Sequence, residues 1–173
     1  MSEKKITPIN DPSFAPEHFL PGSLSDEIRI DQLIVALLST FCRDSVAAGV
    51  DPLRAGAWAR GADYFLRDFV VDHCRNNLFF LPAGQLRHFA GNWYIIKTVE
   101  PNRAELSEIL EGVEAFYCYL QEHGKVTKEC YEEVTAACQD LDFYEDRINA
   151  FWEISEGGYQ PWDEACPQQK VKS

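Results

Sequence analysis

Positive charge is scarce in this sequence. Lys and Arg total 16 against 28 Asp and Glu, a net charge of −12. The deficit is uneven: residues 1–100 carry 10 basic and 12 acidic groups, and residues 101–173 carry 6 and 16. A surface for duplex DNA needs cations to release condensed counterions, so this composition weighs against DNA as a partner. Long apolar runs are missing too. The longest, Leu33 to Leu38, falls far short of the roughly 20 residues that span a bilayer, so no membrane role is expected. No apolar stretch follows the opening Met1-Ser2-Glu3-Lys4-Lys5, as a secretory leader would require, which makes a cytoplasmic location the expectation.

Catalytic and metal signatures are absent as well. There is no Gly-x-Ser-x-Gly, no phosphate-binding glycine loop and no dinucleotide fingerprint. A carboxylate-bridged metal bundle needs Glu three residues before His on one helical face. None of His18, His73, His88 and His123 has it. Cys118, His123, Cys130 and Cys138 bracket one helix–turn–helix corner, but their spacings match no zinc knuckle or finger. His73 and Cys74 are neighbours that point about 100° apart on a helix, a poor geometry for sharing a proton. Five of the six cysteines fall inside amphipathic helical patterns, so they read as small buried thiols rather than a disulfide framework. No cofactor or metal is expected, and these absences weigh against an enzyme.

What is present is helical periodicity. The first helix is expected over 25–48, capped by Ser25, with Ile30, Ile34, Leu37, Leu38 and Phe41 on one face. Asp51-Pro52 starts a second, running to about 78 with possible breaks at Gly56 or Gly61. Its buried stripe is Trp58, Ala62, Phe65, Phe69 and Val70. A third covers 83–98, with Ile95 to Val99 as its frayed end. Asn102 and Glu105 form a capping-box pattern before a fourth over 103–123, and Thr127 caps a last stretch, 128–155, with a bend or split near Gln139-Asp140. The fold class expected is all-α: a single bundle of five to six helices over 25–155. A Pro-rich N-terminal arm over 1–24 and a C-terminal tail over 156–173 flank it. Phe14, Phe19, Tyr159 and Trp162 are the residues by which the tails would dock.

The sparse positive charge gathers on the second helix. Arg60, Arg67 and Arg75 fall within about 80° of one another on an ideal helix, and Arg87 follows on the third. Two readings compete: a salt-bridged face shared with Asp63, Asp68 and Asp72, or an anion or partner-protein groove. Asp142 and Asp146, with Arg147 beside them, read as another ion-paired face.

The run Leu106 to Val126, LSEILEGVEAFYCYLQEHGKV, resembles a helix of the N-terminal core-binding domain of tyrosine recombinases. With Trp93 and Tyr94 upstream, the resemblance extends over 93–155 and brings no catalytic domain with it. It implies a small helical bundle of the kind that clamps DNA, and no functional residue is carried over from it. The leading expectation is a non-enzymatic helical protein-interaction module whose partner is a protein, a second copy of the chain included. The alternatives are a recombinase-like accessory DNA-binding domain, and an enzyme whose site, built from Cys74, His88 or the acids of the second helix, is assembled only by the fold.

Overall fold

The computed structural model describes residues 5–166. Residues 1–4 and 167–173, the ends of the two expected tails, lie outside it. The described residues are 72% helical, with no strand among them. Among the described residues, no helix is long and apolar enough to cross a membrane. Seven helices are present among the described residues: six in the expected bundle, whose last stretch divides as its Gln139-Asp140 pattern predicts, and a short one beyond it.

Helix α1, Leu24–Ala47, is capped by Ser23 and not by Ser25. The reason is reciprocity. Ser23 Oγ accepts from the Asp26 amide, and Asp26 Oδ2 accepts from the Ser23 amide at 2.9 Å. The residue three beyond Ser25 is Ile28, which has no acceptor to return.

Helix α2 begins as the α-helix Pro52–Asp63 and continues as the π-helix Tyr64–His73. It does not break at Gly56 or Gly61. Gly61 is instead a contact point: a Cβ there would lie 2.8 Å from the Ile109 carbonyl oxygen. Gly112 mirrors it, with a Cβ that would lie 2.9 Å from Trp58 Cα. Glycines thus let α2 cross the later helix Arg103–Glu122 backbone against backbone. Close approach there leaves Trp58 half-buried at the side, stacked on Phe41 and under Arg54, rather than in the core stripe. Through the π-helix, Phe65, Leu66, Phe69, Val70 and Val71 are all buried.

The helix ends at His73 and not near 78. Arg75 takes a left-handed conformation at φ 53°, and the Asn76 amide reaches back to the Val70 carbonyl. Asn77 is then drawn inward, where it donates to the Pro16 carbonyl and accepts from the Phe79 amide. That bond ties the loop to the N-terminal arm. The arm is docked through the short 3-10 turns Pro12–Phe14 and Pro16–Phe19, with Phe14 and Phe19 wholly buried.

Helix α3 runs over 85–97, with a π-helical centre, Phe89–Trp93. Helix α4, Arg103–Glu122, has only half of the expected capping box. Asn102 accepts from the Glu105 amide at 2.8 Å, but the Glu105 carboxylate is taken by the Tyr94 hydroxyl, which also receives the Asn102 amide. The last stretch divides at Asp140 into α5, Lys128–Gln139, and α6, Leu141–Trp152.

Arg147 does not join the Asp142–Asp146 face. It turns inward, 6% exposed, and donates to the carbonyls of Gly91 and Trp162. Helix α7, Tyr159–Glu164, lies over it, with the Trp162 ring 4.0 Å from the guanidinium and Asn92 donating to Asp163 at 2.6 Å. The core unites α1 to α6 around an aromatic cluster of Phe65, Phe69, Phe89 and Trp93.

Candidate functional site

The outer side of α1 is not wholly polar. Beside its buried stripe it leaves Val35 46% exposed, with Ser39 next along the same face. Helix α2 runs alongside, held by its capping Asp51 and by its crossing with α4. Between the two helices lies an open groove floored by Val35, Leu38, Cys42 and Ala59. The N-terminal arm crosses it at Ile6. Two hydrogen bonds place the arm: Thr40 Oγ1 donates to the Thr7 carbonyl, and Arg43 Nη1 donates to the Ile6 carbonyl at 3.3 Å. Ile6 divides the groove into two adjoining hollows of about 540 and 590 Å³, which share Ile6, Val35, Ser39 and Arg67.

The rim is charged. Lys5, Arg43, Arg60 and Arg67 line it against Asp31 and Asp63. Arg67 grips Asp63 with both ends of its fork, Nε to Oδ1 and Nη2 to Oδ2 at 2.6 Å each, and that bond holds the guanidinium's pKa above its usual range. Arg43 pairs with Asp44 at 2.9 Å. Arg60 is exposed, and among the described residues no carboxylate lies within ion-pair distance of it. Burial, and then the charge of Asp72, push the Asp31 carboxyl above the ordinary carboxylate range. Arg67 partly offsets them.

Of the four arginines singled out by spacing, the fold brings only Arg60 and Arg67 together. Arg75 has left the helix and pairs with Glu27 on α1 at 2.6 Å. Arg87 pairs with Asp140 and lines a separate cleft between α5 and the loop before α3. The ideal-helix projection fails because α2 changes to π geometry at Tyr64 and stops before Arg75. Sequence spacing also missed Val35, Ile6 and Arg43. The available signal was Val35 itself, an apolar residue off the main stripe of α1.

Among the described residues, no three His, Cys, Asp or Glu side chains converge as a metal would require. Burial pushes the Cys74 thiol up to about 11 and likewise raises Cys118, Cys130, Cys138 and Cys166. That is the opposite of an activated nucleophile. Burial depresses His88, whose Nδ1 is covered and has no hydrogen-bond partner. Neither Cys74 nor His88 lines any of the principal hollows. Comparison with protein-family models, with curated proteins and with solved structures returns no match to this chain.

Proposed function

We propose that the chain is a non-enzymatic helical module that works by holding a partner protein in the groove between α1 and α2. One observation carries this reading. The groove joins an apolar floor, open to solvent at Val35 and Ile6, to a guanidinium at Arg60 that no carboxylate of the described chain neutralises. Apolar area beside a free arginine is the composition of binding hot spots, where desolvation and directed hydrogen bonds act together. The other singled-out arginines, Arg67, Arg75 and Arg87, are ion-paired within the chain. That supports a compact protein contact over a cationic track for duplex DNA. A cytoplasmic setting, in which the chain's free thiols stay reduced, belongs to the same reading.

Selection of displayed peptides against the chain tests the proposal, with Val35→Glu as the counter-target. Val35 is exposed, so the variant keeps the fold and changes only the floor. Peptides that bind the wild type and lose at least about tenfold in affinity, some 1.4 kcal/mol, on Val35→Glu are expected. A selection yielding none, or peptides indifferent to the change, overturns it.

A further inference from the structure

The charge around the groove departs from that of the molecule. The whole chain carries −12, yet the groove is lined by four cations and two carboxylates, and with Asp44, which binds Arg43, the local balance is still one positive charge. Those cations are not spread evenly. Beyond Ile6, Asp44 takes Arg43 and Asp63 takes Arg67, which leaves Arg60 unpaired among the described residues, whereas Asp31 lies at the Lys5 end. A ligand bearing a carboxylate toward Arg60 would neutralise charge, and a basic one would meet repulsion there. Charge of this kind sets partner choice and association rate more than it sets affinity.

The backbone around the groove narrows the ligand's shape. Both walls are helices whose amide and carbonyl groups are bonded within themselves, and no strand edge borders the groove. The side chains that pair extended backbone here, Thr40 and Arg43, already hold the arm, so a second extended segment would bury backbone groups with nothing to pair them. A helix satisfies its own. The floor from Gln32 to Cys42 is about 15 Å long at 1.5 Å per residue, which accepts about three turns.

We infer that the occupant is an acidic amphipathic helix of a partner protein, its apolar stripe on Val35, Leu38 and Ala59 and its carboxylates on Arg60. This inference rests on the docking reading above and names the partner's chemistry. The arm is part of the device. Ile6 occupies the middle of the groove, so the helix either straddles it or displaces it, and Thr40 and Arg43 are the residues whose bonds to the arm would then break.

The test uses two synthetic peptides of about sixteen residues. Both carry the same leucine stripe at three-and-four spacing; one has glutamates along one edge and the other lysines. Each is titrated into the full chain with amide shifts recorded. The glutamate peptide should bind, shift amides of residues 32–42 and 59–67, and weaken as salt rises. It should lose about five- to tenfold in affinity with Arg60→Gln, while the circular dichroism of that variant stays unchanged. A lysine peptide that binds as well or better overturns the acidic assignment and leaves the docking reading standing. Failure of both peptides, or shifts confined to another face, overturns the docking reading with it. A dimer seen by sedimentation and abolished by Val35→Glu would make a second copy the occupant and so overturn the assignment to a partner protein.

Discussion

Arg147 and Trp162 hold each other from both ends. The guanidinium lies 4.0 Å from the indole ring and donates to the Trp162 carbonyl, and the Trp162 indole N–H donates back to the Arg147 carbonyl at 3.0 Å. Among the described residues, no carboxylate lies within ion-pair distance of Arg147; its Nη2 is covered and unbonded, and burial depresses its pKa. A buried cation with so little compensation depends on its cover. Trp162→Ala should therefore lower the stability read from urea unfolding by about 3 kcal/mol, through lost apolar burial. Trp162→Phe, which keeps the ring and loses one hydrogen bond, should cost about 1 kcal/mol. Equal midpoints for Trp162→Ala and wild type would show that α7 lies loose on the bundle.

The glycine crossing of α2 and α4 offers a second test. A methyl group at Gly112 would press on the backbone of Trp58, which cannot rotate away as a side chain can. Gly112→Ala should destabilise by about 3 kcal/mol or more. Gly124 is the comparison: it has open space but a φ of +70°, so Gly124→Ala suffers only local strain of about 1 kcal/mol. A thermal midpoint for Gly112→Ala at or above that of Gly124→Ala would contradict the close approach.

Phe116 and Leu120 lie fully buried on α4. Either one changed to Ala should cost about 2–5 kcal/mol in chemical denaturation, from lost transfer energy and the cavity left behind. Retention of the wild-type midpoint by both variants would place this face outside the core.

His88 should make stability depend on pH. Burial is the main cause of its lowered pKa, aided by the positive charges of His73 and Arg147 and opposed by Asp163. The unfolded chain then binds the proton more readily than the folded one. The stability this group contributes is complete above its unfolded value of 6.5. It is lost as pH falls from there through the folded value. Urea midpoints should drop between about pH 7.5 and pH 5.5, and His88→Gln should flatten that slope. An unchanged slope in the variant would assign the effect to other groups.

Helices α1, α2, α4 and α5 were legible because each has apolar residues at three and four with a capping residue before it. The Leu106 to Leu120 stripe and the split at Asp140 are examples. Ser25 misled because a capping serine is recognised by what answers it three residues on, and here Asp26 answers Ser23. Gly61 read as a weak point of a helix, since its partner Gly112 is 51 positions away and periodicity carries no long-range term. The groove was only half visible for the same kind of reason. Arg60 and Arg67 stood out by spacing, but the floor requires the arm's Ile6 to meet α1 and α2. Arg147, an arginine in an acidic stretch, gave no sign that it would point inward.

The change from α to π geometry between Asp63 and Tyr64 has a consequence for how this surface varies. Arg60 stands before that junction and Arg67 after it, so the angle between the two guanidinium groups is a matter of helical phase as well as of residue identity. A π segment holds one residue more per hydrogen-bonded loop than an α segment. Removing a single residue from 64–66 would let α pitch resume and swing Arg67 around the axis relative to Arg60, with every side chain of the rim otherwise intact. The spacing of charge along the groove is thus retuned by length alone.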